Sequence, residues 1–227
     1  FELSYAAKLS TRPEKFLGEV ATWDDAEAAL RRALESSQQA YTLNAGDGTF
    51  YGPKIDFDIT DALGRKWQCA TIQLDYQMPE RFDLKYTGAD NSEHRPVVIH
   101  RAIFGSLERF IGILVEHFAG AFPLWLSPVQ AIVLPIADRH LGYAREIVAT
   151  LQQAGLKAEV DDRQEKVNYK IREAQLQKIP YMLVVGDKEV TDRAVAVRSR
   201  AKGDLGPRPL DQFLTDALAE IRAKALS

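Results

Sequence analysis

The 227-residue chain has room for one large domain or two small ones, and two is the expectation taken forward. With 46% hydrophobic and 27% charged residues it can bury a core, which excludes disordered and fibrous classes. Its formal charge of −3 is uneven, 13 Lys/Arg against 18 Asp/Glu over residues 1–127 and 16 against 14 beyond, while no apolar run approaches the ~20 residues of a membrane span and no leader opens the chain, so it reads as soluble and cytoplasmic.

The chain starts without methionine, inside an alternation. Phe1, Leu3, Tyr5, Ala7 and Leu9 lie on one face, and Glu2, Ser4, Lys8 and Ser10 on the other. This is a half-buried strand, and it implies a longer parent protein. Helical spacing of Trp23, Ala26, Ala29, Leu30, Ala33 and Leu34 predicts an amphipathic helix over 23–39. Ile55, Phe57 and Ile59 then alternate with Asp56, Asp58 and Thr60, the stretch 61–64 supplies a turn, and 66–75 runs back, an antiparallel hairpin. A short buried strand is predicted at Pro96–Ile99. A core-facing helix follows it, carrying Ile103, Leu107, Phe110, Ile111, Leu114 and Phe118. The proline-bounded connector Pro123–Pro128 marks the predicted boundary, giving domains 1–127 and 128–227.

Beyond it, strands at 131–136, 158–160, 181–185 and 194–198 alternate with helices at 141–154, 167–177 and 210–226. That order predicts an α/β unit with a mostly parallel sheet. Within it, residues 163–208 carry 11 basic and 6 acidic residues, a charge that attracts a polyanion, although a solvated face is the commoner meaning of such a run. Cys69 is the only cysteine, so no internal disulfide forms, and with four histidines it makes no ordinary four-ligand zinc cluster. The strand context of Cys69 predicts a buried or pocket-lining thiol. His94, His117 and His140 receive no role.

Four stretches are far more specific than these patterns: Ser10–Lys15, Phe50–Ile55, Trp67–Asp75 and His100–Phe110. In this order they closely resemble the C-terminal half of bacterial threonyl-tRNA synthetases, over essentially the whole chain. The resemblance implies an α+β, antiparallel portion of a class II catalytic domain followed by an α/β mixed-sheet anticodon-binding domain. The activity it implies is ATP-dependent formation of threonyl-adenylate and transfer to tRNA(Thr), with a homodimer as the assembly and the 227 residues alone inactive. Motifs before residue 100 resemble the threonine enzyme in particular. The alternative is a non-catalytic tRNA-binding or regulatory protein that keeps a synthetase remnant.

The same resemblance supplies candidate site residues. Arg109 matches the arginine of the third class II signature, which meets the γ-phosphate of ATP through a planar charged fork. Gln68 and Thr71 are carried over toward ATP and its Mg2+, and Tyr51, Gln73 and Lys54 toward threonine. Period two sets Cys69, Thr71 and Gln73 on one strand face and Gln68 on the other, so a single register serves both glutamines only through a bulge. His100 matches the third protein ligand of a catalytic-site zinc whose other ligands lie upstream, an ion that holds the threonine amino and hydroxyl groups and so rejects valine. Gln164, Arg172, Glu189 and Arg198 match anticodon-reading positions. A carboxylate such as Glu189 repels phosphate, and so fits base reading through hydrogen bonds better than indiscriminate attraction.

Overall fold

The alternation at the start of the chain becomes strand β1 (Tyr5–Ser10), in which Ala7 and Leu9 are buried while Tyr5 stays exposed near the chain end. The computed structural model describes residues 1–226, and the chain divides between His117 and Phe118 into two units.

In the first unit β1 leads through α1 (Val20–Ser36) to β2 (Tyr41–Asn44), which pairs parallel to β1, as a crossover helix requires. Strands β3 (Lys54–Thr60), β4 (Lys66–Asp75) and, after α2 (Gln77–Arg81) and a minimal hairpin of β5 (Tyr86–Thr87) and β6 (Glu93–His94), β7 (Val98–Ala102) complete an otherwise antiparallel sheet ordered β2-β1-β3-β4-β7. Helix α1 lays Ala26, Leu30 and Leu34 on Ala7, Leu9, Ile55 and Leu74, covering one face of the sheet. The opposite face carries Ser10, Lys54, Asp56, Asp58, Thr71 and Gln73, the residues of the candidate site.

Three sequence expectations change here. The polar face of the hairpin is not simply solvated, because Asp56 and Asp58 are buried against Lys54 and Lys8. The strand expected at Pro96–Ile99 lies at Val98–Ala102 and is not buried: β7 is an edge strand bonded only to β4, and Ile99 is 62% exposed. The helix expected from Ile103 begins at Leu107 as α3 (Leu107–His117), because Gly105 takes a left-handed φ of 68° that ends the extended chain first. Of its apolar side chains Phe110, Ile113 and Leu114 turn inward, while Leu107 and Ile111 stay exposed.

In the second unit β8 (Ala131–Pro135), α4 (Leu141–Gln153), β9 (Ala158–Val160), α5 (Val167–Leu176) and β10 (Tyr181–Val185) alternate, and β9, β8 and β10 are parallel. Then follow α6 (Asp187–Asp192), β11 (Ala194–Ser199), β12 (Gly203–Pro209) and α7 (Leu210–Ala223). Strands β11 and β12 are antiparallel, so the sheet β12-β11-β10-β8-β9 is mixed. Val133, Leu183, Val185, Val195 and Val197 pack beneath Ile147, Leu151 and Phe213 of α4 and α7. Alternate residues Leu134 and Met182 face Ala174 of α5 on the other side. Strand β12 has no apolar alternation to betray it. Pro207 and Pro209 are tolerated there because an edge strand need not supply every N–H to the ladder.

Gly52 fixes the approach of the loop before β3 to β4. A β-carbon at that position would lie 1.8 Å from the backbone oxygen of Leu74, which no side-chain rotation relieves. Gly52→Ala is therefore expected to destabilise the protein by about 3 kcal/mol, the upper end of ordinary overpacking, as read by urea denaturation. An unchanged unfolding midpoint would show that this approach is not rigid.

Candidate functional site

The site is organised by a break in the β3–β4 ladder. Lys54 pairs with Gln73, Asp56 with Thr71 and Phe57 with Ala70, but Asp58 pairs with Gln68, leaving Cys69 as the extra residue of a β-bulge. Strict alternation would place Gln68 beside Ala70 and Ile72; the bulge returns it to the face of Thr71 and Gln73. Cys69 is buried, and burial pushes its thiol above the ordinary value, keeping it a neutral packing group. Its carbonyl oxygen would be 2.8 Å from a β-carbon on Gly105, so a glycine there lets the start of α3 dock on the bulge.

At the far end of β4 several predicted residues meet. Tyr51 donates its hydroxyl to Gln73 Oε1 at 2.5 Å, and Gln73 donates Nε2 to Thr71 Oγ1 at 3.3 Å. His100 sits on β7 directly opposite Gln73, its ring edge-on to Tyr51 with centroids 6.1 Å apart. Lys54 lies opposite Gln73 on the other side, but its ammonium is drawn to Asp56 at 2.9 Å and to Asp47 at 3.6 Å. A residue the motifs did not single out, Asp75, accepts from His100 Nε2 at 2.8 Å. Burial alone would raise the Asp75 pKa; the His100 bond and backbone N–H donation from Met78 and Gln77 outweigh it and hold the carboxyl below its usual value.

Toward the bulge the second cluster forms. Arg109, in the first turn of α3, places its guanidinium 5.8 Å from the Trp67 ring centroid and 3.5 Å from the Gln68 carbonyl oxygen. Asp61 anchors that platform: its Oδ2 accepts from Trp67 Nε1 at 2.8 Å and Arg65 Nε at 2.6 Å, and its Oδ1 from the N–H groups of Leu63 and Arg65. Gln68 donates Nε2 to the buried Asp56 at 2.6 Å, leaving its amide oxygen as the group it can present outward. Asp56 also accepts from Ser10 at 3.0 Å. Asp56 and Asp75 escaped the sequence reading because alternation with apolar residues marks carboxylates as solvent-facing, and Asp61 because it opens a turn. The neighbouring lysines and Trp67 were the available signal that partners await them.

Gln68 and Gln73 thus lie on one face of β4, opposite Asp58 and Lys54 and so about 13 Å apart at 3.3 Å per residue of β3, with Arg109 beside the first and His100 beside the second. Among the described residues no group of three His, Cys, Asp or Glu is arranged to hold a metal ion. His100 offers one nitrogen donor, since its Nε2 is engaged by Asp75.

In the second unit the loops after parallel strands β8, β9 and β10 gather at the carboxyl end of the sheet, where open α/β sheets bind ligands. Gln164 lies in the loop after β9, donating to Asp138 at 3.3 Å across a cavity of about 430 Å³ lined also by Ala137, Arg163 and Lys166. Arg163 grips Asp161 through two bonds of 2.9 and 2.7 Å, and buried Lys170 donates to the Asp161 carbonyl oxygen at 2.9 Å, so this loop is stiffly held. Arg172 is exposed on α5. Glu189 on α6 spends one oxygen capping its own helix through Gly186 N–H at 2.9 Å. Arg198 lies opposite Met182, about 10 Å along the strand from the carboxyl end of β10, and is tied to Asp204 at 3.3 Å. The structure therefore gathers Gln164, on the loop after β9, and Glu189, in the first turn of α6, at one end and sets Arg198 on the sheet. His140, given no role by the sequence, is buried and joins Arg139 on Asp187 at the start of α6, binding the β8 loop to the helix that carries Glu189.

Comparison with known proteins agrees with this division. Residues 7–118 match the tRNA synthetase class II core domain (G, H, P, S and T), and residues 130–220 the anticodon binding domain. The chain is 66% identical over 224 residues to the threonine–tRNA ligase of Symbiobacterium thermophilum, covering 99% of this chain and 34% of that one. It is 60% identical to the threonine–tRNA ligase of Desulforamulus reducens, covering 100% and 36%. It spans about a third of the length of these curated relatives. The structure of the RNA binding domain of threonyl-tRNA synthetase from Cryptosporidium parvum superposes with a TM-score of 0.89 at 42% identity, covering 96% of this chain and 56% of that one.

Asp61 gives the site a pH dependence. Burial by itself would raise the Asp61 carboxyl, but the hydrogen bonds from Trp67, Arg65 and Leu63 together outweigh it and hold the folded group well below the ordinary value of about 3.9, so its ionised form stabilises the fold fully above that value. The contribution is lost as pH falls toward the depressed folded value. The wild-type urea midpoint is expected to drop more steeply between pH 5 and pH 2 than that of Asp61→Asn; parallel slopes would remove Asp61 from this account.

Proposed function

Because the chain belongs to the class II aminoacyl-tRNA synthetases, among which its relatives are threonine–tRNA ligases, we propose that it is the C-terminal part of a threonine–tRNA ligase. Residues 1–127 supply the end of the catalytic domain, and residues 128–227 read the anticodon. The observation that carries this reading is the single polar row along β4, with Arg109 and Gln68 at one end and Tyr51, Gln73 and His100 at the other. An aminoacyl nucleotide needs charge neutralisation at one end and side-chain recognition at the other.

In the reaction the threonine carboxylate attacks the α-phosphate of ATP and pyrophosphate leaves, giving threonyl-adenylate; a hydroxyl at the tRNA 3′ end then attacks the threonyl carbonyl and AMP leaves. No enzyme nucleophile is required. Arg109, backed by the Trp67 ring, stabilises phosphate charge through position rather than bond making. Mg2+ accompanies ATP, and the outward amide oxygen of Gln68 is the hard donor type such an ion or a ribose hydroxyl takes; Thr71, between the two clusters, adds a hydroxyl. Tyr51 and Gln73 hold each other in place for threonine, with Lys54 as a charge close by. A zinc ion would be held by His100 together with ligands from outside these residues. When bound it supplies Lewis-acid contacts that separate a hydroxyl from a methyl group.

The second unit reads bases with Gln164, Arg172, Glu189 and Arg198. A homodimer working in the cytoplasm completes the proposal, and among the described residues no helix is long and apolar enough to cross a membrane. In the full-length protein Arg109→Ala is expected to lower threonine-dependent ATP–pyrophosphate exchange by about 10²–10³-fold, the usual cost of removing one oxyanion donor. Exchange at the wild-type rate would overturn the catalytic reading. Arg172→Ala and Glu189→Gln are expected to weaken tRNA(Thr) binding by about 1–3 kcal/mol while leaving that exchange intact, and equal loss toward every tRNA would mean phosphate attraction instead of base reading.

A further inference from the structure

We propose that Asp75 is the positioning residue that fixes which ring nitrogen His100 offers to a metal ion, an inference that rests on the zinc reading of His100 above. A carboxylate can only accept hydrogen bonds, so the 2.8 Å contact between Asp75 Oδ2 and His100 Nε2 places the proton of the neutral ring on Nε2 and leaves the Nδ1 lone pair available. Strand geometry makes the pairing inevitable. Asp75 stands opposite Val98, and His100 is two residues farther along β7, on the same face and diagonally adjacent.

Asp75 cannot swing away to become a ligand itself. Its Oδ1 accepts from the Gln77 and Met78 N–H groups at 2.8 and 3.0 Å at the start of α2, and its side chain is only 5% exposed. On the other side, the Tyr51 ring 6.1 Å away limits rotation of the imidazole. The His100 side chain is 39% exposed, so the free nitrogen remains reachable. A carboxylate behind a ligating imidazole, fixed by bonds of its own, is the arrangement that sets ligand orientation and basicity at metal centres.

Asparagine at this position would invert the assignment. Its oxygen still accepts from the α2 cap, but its Nδ2–H2 donates to the ring, requiring a lone pair on Nε2 and moving the proton to Nδ1. Long-range 1H–15N NMR of the 227-residue chain at pH 8 is expected to show the Nε2–H tautomer of His100 in wild type and the Nδ1–H tautomer in Asp75→Asn. Asp75→Ser, which keeps an acceptor for the cap but withdraws it from the ring, is expected to give a mixture and covers the case of a poorly folded asparagine variant. The same tautomer in wild type and both variants overturns the proposal.

Zinc titration of the metal-free full-length protein against a chromophoric chelator supplies the second readout. Asp75→Asn is expected to weaken zinc affinity by about 10–100-fold, and His100→Ala to abolish stoichiometric binding. Loss of zinc in His100→Ala with wild-type affinity in Asp75→Asn overturns the positioning role and leaves the zinc reading standing. Full zinc binding in His100→Ala overturns both.

Discussion

The two-for-one pairing at Cys69 is the constraint on which the geometry of the first unit's candidate site depends. A strand of period two cannot direct Gln68 and Gln73 to the same face, since five residues separate them. One extra residue corrects the parity. The extra residue also exposes a carbonyl against which Gly105 packs, and that contact sets where α3 begins and hence where Arg109 points. A single irregularity in the ladder thus determines both the glutamine that turns to the polar face and the guanidinium beside it.

Buried carboxylates hold most of the groups that matter, and they do so in both units. Asp56 orients Gln68 and Lys54, Asp61 holds Trp67 under Arg109, and Asp75 holds His100. Asp161 stiffens the loop of Gln164, while the exposed Asp187 ties Arg139 and the buried His140 to the helix of Glu189. Asp56, Asp61, Asp75 and Asp161 are buried, which by itself is unfavourable, and each is compensated by several hydrogen bonds, most of them charge-assisted. Losing a partner would leave a buried charge uncompensated, so these clusters resist rearrangement. They suit the positioning and charge neutralisation proposed for the site.

Legibility followed the strength of the local pattern. Helices α1, α4, α5 and α7 declared themselves by apolar spacing, and β3 and β4 by alternation around the turn at Asp61–Gly64, with ends displaced by only a few residues. Strand β12 and helix α6 did not, because the first is Gly- and Pro-rich and the second is polar and six residues long. The exposed β7 was misread as buried because Val98 and Ile99 look the same in an edge strand as in a central one; only the neighbour count differs, and that is not written in the residues. His140, ordinary in sequence, became a buried organiser for the same reason.

By itself, the order of residues determined the family resemblance, the two fold types and the candidate side chains, because those depend on local spacing and on motifs in linear order. Tertiary structure alone decided which face Gln68 takes, which carboxylate stands behind His100, and that Arg198 sits on the sheet away from the loop of Gln164 and the helix of Glu189. Each of those facts is a matter of register between strands distant in the chain, or of closure between loops distant in the chain. A one-residue shift reverses a face without altering hydrophobic pattern or propensity, so nothing short of the assembled sheet could have selected between them.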